Sequence, residues 1–336
     1  MVSVRNMVSG SKTKWYSACA VLAALCLLPL AIKDDRHLMH LLILCYMYAV
    51  VAAAWDLIMG YARVLSYAQM AFLALGAYTT AMLTLHLNSS PWLGMLAGGA
   101  VATVIGLAIG LVSFRLRGIY VGMATLALHI VLPTLIRAAR PWGTGGSYGL
   151  TDVPSVTVGG YMFSNLYLVP WYYLALGIFV IFISIIYFII RSTYGLAFVA
   201  LRDSEAFAKS LGIHHFRFLL TVFAISAFVT GVMGAVYTHY IGVVSPSILG
   251  LDMFLLIYIM VMVGGLGRFP GAIIGAFVVV FLNDSLIVLK EFRLVILGSL
   301  VVAVMILLRG GLMGIGEHLV RLVGRRVFRG SRQQEH

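Results

Sequence analysis

The chain alternates long apolar runs with short polar connections, and most of these runs have the length of a helix that crosses a membrane. The runs occupy, approximately, residues 15–32, 38–58, 65–86, 92–113, 118–137, 168–190, 218–241, 252–266, 271–288 and 293–308. A helix needs about 20 apolar residues to cross the hydrocarbon core of a bilayer. The pattern therefore predicts an all-α, polytopic transmembrane helical bundle with about 8–10 spans.

Two stretches are less regular than the others, because 65–86 and 252–275 are rich in small residues. Non-helical backbone at membrane depth is tolerated where protein or a water-filled cavity surrounds it. Either stretch is therefore interpreted as a full crossing or as a broken or re-entrant segment. The first run, 15–32, is long and precedes many others, so we interpret it as an uncleaved first helix instead of a signal peptide.

Composition agrees with a membrane protein and excludes a large soluble one. Of the 336 residues, 62% are hydrophobic and 10% are charged. A soluble domain so poor in charge would expose one continuous apolar surface. The net charge of +12 is spread between the apolar runs, so no nucleic-acid partner is predicted. Cys19, Cys26 and Cys45 lie within apolar runs without metal-ligand spacing, which predicts core residues and no metal site.

The basic residues predict the orientation of the chain. Ten crossings place both termini on one side, and if that side is the cytoplasm, 17 of the 23 Lys and Arg residues face it. Basic residues accumulate in cytoplasmic loops. The sequence thus predicts one membrane domain over 1–336, N-in and C-in, with the embedded bundle at 15–308. A cytoplasmic loop at 191–217 and a basic cytoplasmic tail at 309–336, in contact with membrane lipid, complete it.

The segment 191–217 is the longest charged interruption between apolar runs, and it carries the signals of a short helix. Asp203 is a candidate N-cap, Glu205 and Lys209 form an i, i+4 pair, and Gly212 is a candidate C-terminal stop. A small and mostly apolar stripe is formed by Ala206, Phe207, Ser210 and Leu211. Such an element is predicted to rest on the membrane or to dock a partner.

Polar and small residues that interrupt the apolar runs are candidates for a pathway or a gate. The set comprises Asp56, Ser66, Gln69, Thr125, Gly265 and Gly267. An acidic residue near the bilayer is a functional hypothesis by default. The alternative is that Asp56 is interfacial and pairs with Arg63 or Arg115.

Two further features have both a structural and a functional interpretation. Gly267, Gly271 and Gly275 repeat every four residues, a spacing that lets helices pack closely in lipid; the alternative is a turn at the mouth of a pathway. His129 lies in the middle of a run and is expected to be buried and hydrogen-bonded, with a substrate or proton site as the alternative.

Signatures of catalysis are missing from the sequence. There is no P-loop, HExxH or GxSxG motif and no paired carboxylates in the predicted spans, so we expect neither enzymatic activity nor a bound cofactor. Energy would then come from an ion gradient or from another subunit. An ion-coupled secondary carrier generally needs ionisable groups at mid-membrane, and this chain has few. An enzyme acting on lipid-linked substrates is disfavoured because no acid–base pair is present.

Seven stretches, taken in order, resemble one protein family. They are GYARVLSYAQMAFLALGAYTTAML (60–83), FRLRGIYVGMATLAL (114–128), GTGGSYGLTDVP (143–154), RSTYGLAFVALRDSEAFAKSLGI (191–213), FAISAFVTGVMGAVYTHYIGVVSP (223–246), VMVGGLGRFPGAIIGA (261–276) and LLRGGLMG (307–314). The chain resembles the LivM-like membrane permease of bacterial branched-chain amino-acid ABC importers.

The resemblance implies a multi-pass, pore-forming subunit of the bacterial inner membrane that pairs with a second, homologous permease. It also implies two cytoplasmic ATPases that hydrolyse ATP and a periplasmic binding protein that delivers the substrate. In this family a cytoplasmic loop docks on an ATPase. The residues that match this loop are Arg202, Asp203, Glu205, Ala206, Phe207, Leu211 and Gly212.

The sequence departs from the family at two places. Gly212 follows Glu205 by seven residues, where the family has a spacing of six. Family members more often carry Asn and Gly-His where this chain has Asp56 and Ala68-Gln69. Permeases for urea and short-chain amides belong to the same wider group, so these substrates remain an alternative to branched-chain amino acids.

Overall fold

A computed structural model describes most of the chain. The described residues are 20, 23–30, 32, 35–116, 118–158, 161–163, 168–289, 292–307 and 311–314. Residues 23–30 are helical, but much of the first predicted run and nearly all of the predicted basic tail lie outside the described residues.

The described part of the chain is almost entirely helical, which confirms the predicted all-α class. The α-helices are α1 Arg36–Asp56, α2 Gln69–His86, α3 Pro91–Arg115, α4 Ile119–Ala138, α5 Leu168–Arg191, α6 Thr193–Asp203, α7 Glu205–Ser210, α8 His215–Ile241, α9 Leu251–Gly264, α10 Gly271–Ser285 and α11 Phe292–Leu307. A π-helical turn, Leu57–Tyr61, extends α1. Short 3-10 turns lie at Arg140–Trp142, Pro246–Leu249 and Ile287–Leu289. Strands β1 Thr157–Val158 and β2 Tyr161–Met162 pair antiparallel.

Five of the described helices are long and apolar enough to cross a membrane. They are Arg36–Tyr61, Pro91–Ser113, Ile119–Ala138, Leu168–Arg191 and His215–Ile241. Shorter apolar helices lie at Leu251–Gly264, Gly271–Ser285 and Val295–Val304. The protein is therefore a multi-pass membrane protein, while the exact number of spans and their orientation stay predictions.

Both stretches that sequence marked as irregular contain a break in the helix. The backbone from 62 to 68 is not helical, and α2 begins only at Gln69. The second break is the 265–270 loop between α9 and α10. The 14 residues of α9 rise about 21 Å, less than the roughly 30 Å of a hydrocarbon core.

Helix α1 is the axis of the bundle. It is apolar on every side, and 94% of its most apolar window is buried within the protein. It packs against α5, α8, α9 and α10. Because α1 is shielded by other helices and not by lipid, the polar groups at its end must find their partners within the protein.

The chain connections gather at two ends of the bundle. At one end, which we name the α7 end, the turn after α1 contacts the 265–270 loop and α6. At the opposite end, which we name the β end, Leu150 pairs with Val244 through two backbone hydrogen bonds. His37 and Asp284 also meet at the β end, 2.9 Å apart.

Small residues let α2, α3 and α8 approach closely. A Cβ built on Gly76 of α2 would stand 1.9 Å from the carbonyl oxygen of Gly231 in α8, and one on Gly98 of α3 would stand 2.8 Å from that of Gly76. Where lipid surrounds the helices, such contacts between backbones drive association. The three-helix crossing therefore has no room for a side chain at these positions.

We predict that Gly76→Val destabilises the bundle by about 1–3 kcal/mol or more, because an added side chain forces the helices apart. Thermal unfolding of the purified chain in detergent measures the effect. Gly177→Val in α5 is the matched control, since a Cβ there meets nothing within 4 Å. Equal unfolding temperatures for the two variants would contradict the packing described.

Candidate functional site

The end of α1 and the loop between α9 and α10 form one unit, which we name the junction cluster. It consists of Asp56, Gly60, Tyr61, Gly267 and Phe269. The backbone N–H of Gly267 donates to Oδ1 of Asp56 at 2.7 Å, and that of Phe269 donates to the hydroxyl of Tyr61 at 3.0 Å. Two side chains of the α1 end thus satisfy two backbone groups of a non-helical loop.

Glycine is required on both sides of the junction cluster. A Cβ on Gly60 would stand 2.1 Å from Oδ1 of Asp56 and 2.2 Å from the backbone nitrogen of Gly267. Gly267 has φ +67°, which side chains rarely adopt. Gly267 therefore makes a turn instead of a helix–helix contact. The other two glycines of its repeat, Gly271 and Gly275, do lie in α10 and pack against α9.

Asp56 does not form the interfacial ion pair that sequence left open. It is 4% exposed, and within the described residues it pairs with neither Arg63 nor Arg115. The buried carboxylate is satisfied by a backbone N–H because the 265–270 loop closes over the end of α1. Arg63 is exposed and adopts φ +55°.

Arg202 places its guanidinium group near the junction cluster. Its Nη1 lies 3.5 Å from the point where a Cβ would stand on Gly267, and its Nε donates to Asp203 at 3.0 Å. Helix α6 also contacts the π-helical turn that carries Tyr61. The candidate coupling and gating residues, which are far apart in sequence, therefore meet at the α7 end.

A second group of predicted residues forms a buried polar layer where α1, α2, α4 and α8 meet. The backbone N–H of Tyr67 donates to Oγ1 of Thr125 at 2.9 Å. Nε2 of Gln69 donates to Oγ1 of Thr230, and the hydroxyl of Ser226 donates to Oε1 of Gln69 at 3.2 Å. The side chain of Gln69 thus links α2 to α8.

Ser66 belongs to the same polar layer. Its carbonyl accepts from Nε1 of Trp55 at 2.8 Å, and its hydroxyl accepts from the N–H of Ala68 at 3.4 Å. In this conformation the polar atoms of the layer satisfy one another and the broken backbone. Their role in a pathway or a gate stays a prediction.

The segment 191–217 forms two helices, and its N-cap differs from the predicted one. Asp203 is the last residue of α6, and Ser204 caps α7, its hydroxyl accepting from the N–H of Phe207 at 3.3 Å. Ser204 was not among the predicted caps, and its extended backbone gives it the N-cap position. Gly212 does end the element, with φ +80°. The N–H of Ile213 bonds back to Ala208 there, as in a Schellman motif.

The apolar stripe of this element faces outward. Phe207 and Leu211 are each 63% exposed and lie one helical turn apart. The side chains of Glu205, Ala206 and Lys209 lie outside the described part, so the predicted ion pair is not described. An exposed apolar pair at the surface of the α7 end has the character of a docking site.

His129 is buried, as expected, but its predicted hydrogen bonding is wrong in part. Its Nδ1 has no hydrogen-bond partner among the described residues. The ring packs on Phe254 of α9 with centroids 5.1 Å apart. The ring therefore packs as part of an aromatic contact, and the expected hydrogen bond at Nδ1 is not formed with any described residue.

Sequence reasoning missed several residues of the site. Tyr61 was not singled out, although its hydroxyl accepts one of the two hydrogen bonds that hold the junction cluster. Ser226 and Thr230 complete the polar layer. Their i, i+4 spacing within an apolar run was the available signal, since such residues face one side of a helix.

Comparison with known proteins places the chain among transport proteins. The family described as "Branched-chain amino acid transport system / permease component" matches residues 37–308. No match to the chain was found among solved structures.

Curated relatives agree with this family. The permease protein LivM of the high-affinity branched-chain amino acid transport system of Salmonella typhimurium is 28% identical over 280 residues, which cover 77% of this chain and 66% of the relative. LivM of Escherichia coli is 27% identical and covers 81% and 69% respectively. LivH of Salmonella typhimurium is 24% identical over 80% of this chain and 91% of its own length. The chain spans about two thirds of the LivM relatives.

We predict that Asp56→Ala destabilises the chain by about 1–3 kcal/mol, because it leaves the N–H of Gly267 buried without an acceptor. Asp56→Asn keeps an acceptor oxygen and should unfold near the wild-type temperature. Thermal unfolding and protease cleavage within the 265–270 loop measure the difference. If the two variants behave alike, the hydrogen bond to Gly267 does not hold the loop.

Proposed function

Since this chain belongs to the family of permease components of branched-chain amino acid transport systems, we propose that it is a pore-forming subunit of an ATP-driven importer. A second, homologous permease completes the translocation pathway. Two ATPases supply energy from the cytoplasm, and a periplasmic binding protein supplies the substrate. The assembly sits in the bacterial inner membrane, with both termini of this chain in the cytoplasm.

The absence of a phosphate-binding loop from the sequence favours energy from another subunit. The chain itself then binds no nucleotide, and ATP acts on partners. The arrangement of basic residues supports a cytoplasmic α7 end, because the 191–217 loop carries Arg191, Arg202, Lys209 and Arg217. The proposed ATPase would therefore meet α7 and its exposed pair, Phe207 and Leu211.

The observation that carries the proposal is the contact of α6, the helix that ends with Arg202 and Asp203, with the π-helical turn that carries Gly60 and Tyr61 of the junction cluster. A partner that pushes on α7 also moves α6, because one residue, Ser204, separates the two helices. Arg202, at the end of α6, then moves against Gly267. The hydrogen bonds from Asp56 and Tyr61 pass this displacement to the end of α1, the axis of the bundle. A motion at the surface thereby reaches the centre of the membrane part.

The substrate proposed is a branched-chain amino acid. The relatives bear this substrate in their names. The sequence departures at Asp56 and Ala68-Gln69 affect structural positions, since Asp56 closes the junction cluster and Gln69 holds the polar layer. They supply no argument for urea or amides. Urea and short-chain amides remain competitors to be tested in uptake.

We predict that vesicles holding the complete assembly take up leucine only when ATP is inside them. Unlabelled isoleucine or valine should compete, and urea and acetamide should not. An ionophore that collapses ion gradients should leave uptake unchanged. Uptake that follows the ion gradient without ATP would refute the proposal, and competition by urea alone would refute the substrate.

We predict that the double variant Phe207→Ser and Leu211→Ser reduces co-purification of the ATPase at least about tenfold, because buried apolar anchors dominate interface energies. Val288→Ser is the matched control, since Val288 is 86% exposed and follows α10 toward the β end. Membrane levels of this chain should be equal in all variants. Co-purification at the wild-type level would contradict docking through α7.

Gly212 provides a separate test of the same element. Gly212→Asn should retain ATPase binding, because Asn tolerates the left-handed backbone, whereas Gly212→Val should reduce it. No neighbouring atom lies within 4 Å of a Cβ at this position, so backbone strain alone distinguishes the two variants. Identical binding by both variants would show that the turn at Gly212 does not shape the docking surface.

A further inference from the structure

A cleft of about 350 Å³ opens at the β end, away from the junction cluster. It lies between the 243–250 connection and the ends of α9, α10 and α11. Sites for small molecules occupy about 300–1,000 Å³. The cleft therefore has room for a molecule the size of an amino acid.

The walls of the cleft are fixed by the backbone. Helix α8 ends at Gly242, which has φ +79°, and the chain then turns away. Val244 exchanges two hydrogen bonds with Leu150, of 2.7 and 2.9 Å. The 3-10 turn Pro246–Leu249 follows, and α9 begins directly after it. The connection is therefore held in place before any ligand enters.

The cleft combines one acid, one base and neutral polar groups with an apolar wall. The side chains with polar groups, among the described residues, are Tyr237, Ser245, Ser247, Asp252, Asn283 and Arg293. The apolar wall includes Val243, Val244, Ile248, Met253, Leu256 and Leu297. This composition fits a ligand with charged groups at one end and an aliphatic chain at the other.

The two charged side chains are not neutralised by each other. Among the described residues, Asp252 and Arg293 form no salt bridge, and Nε of Arg293 is buried without a hydrogen-bond partner. A buried donor without a partner costs free energy until something accepts from it. Arg293 can therefore pair with an anionic group, and Asp252, which is exposed at the same cleft, can pair with a cationic group. A zwitterion satisfies both.

We propose that this cleft binds an aliphatic α-amino acid through its zwitterionic head. The carboxylate accepts hydrogen bonds from Arg293, whose planar guanidinium suits it. The ammonium group donates to Asp252 and the hydroxyl of Ser245, and the side chain rests on the apolar wall. This inference rests on the proposed function for the choice of an amino acid, and it adds a substrate site at the β end, where the proposed orientation places the periplasm.

A lipid headgroup such as phosphoethanolamine is also a zwitterion, so the test must separate the two sources. The probe is Ser247→Cys in the full chain in lipid nanodiscs, labelled with a membrane-impermeant maleimide. Ser247 lines the cleft and is exposed. The chain without this substitution gives the background from native cysteines. Leucine, 3-methylbutylamine, 4-methylpentanoate and glycerophosphoethanolamine are compared for their ability to slow labelling.

Leucine is expected to slow labelling at lower concentrations than the other three compounds. Arg293→Met and Asp252→Asn should each raise the half-protecting leucine concentration at least about tenfold, the scale of one lost charged hydrogen bond. Arg137→Met and Asp152→Asn are matched controls, since both residues are exposed at the β end and do not line the cleft. The half-protecting leucine concentration of both control variants should equal that of the parent.

Labelling that leucine does not slow, up to its solubility limit, would overturn the proposal. Equal protection by glycerophosphoethanolamine, or an unchanged half-protecting concentration in Arg293→Met, would overturn it as well. ATP-driven leucine uptake by the complete assembly is measured in parallel. If leucine is taken up but does not slow labelling, the cleft site is refuted and the proposed function stands. If leucine slows labelling but is not taken up with ATP, the ATP-driven function is refuted and the cleft site stands.

Discussion

The structure depends on satisfying backbone groups where helices break inside an apolar bundle. Where the bundle excludes water, each such group left unpaired is costly. The break after α1 and the break between α9 and α10 lie against each other. The side chains of Asp56 and Tyr61 at the first break accept hydrogen bonds from the backbone N–H groups of Gly267 and Phe269 at the second. Thr125 serves the N–H of Tyr67 in the same way. Asp56, Tyr61 and Thr125 thus serve backbone groups where helical hydrogen bonds are missing.

The residues that hold these breaks have a structural role and are also candidates for a functional one. A break that is held by a few hydrogen bonds is the place where a helical bundle can change its arrangement without unfolding. Helix α6 contacts the π-helical turn at one such break, and the element that follows α6 exposes Phe207 and Leu211. The junction cluster therefore stabilises this conformation, and in the proposed function it is also the route between the surface and α1.

The two ends of the bundle differ in chemistry in a way that suits their proposed roles. The α7 end presents an exposed apolar pair and buried hydrogen bonds, which favour contact with another protein. The β end presents the cleft with Asp252 and Arg293, which favours a small charged molecule. A transport subunit needs both properties, one to receive force and the other to meet its cargo.

Sequence determined the class of the protein and identified some residues of the junction cluster and the polar layer, such as Asp56, Gly267 and Gln69, because apolar length and isolated polar residues are local properties. The breaks near residues 65 and 267, the stop at Gly212 and the burial of His129 were all predictable in this way. The choice of Ser204 over Asp203 as cap was not, because both side chains have the chemistry and the backbone path selects one.

Only the tertiary structure decided which residues meet. Asp56 and Gly267 are 211 positions apart, and the sequence around one does not indicate that the other is its partner. The partnership of Gln69 with Ser226 and Thr230, and the shared cleft of Asp252 and Arg293, arise in the same way. Hydrophobic patterning determines which segments enter the bundle. The packing of the helices around α1 determines which of their polar groups come within hydrogen-bond distance.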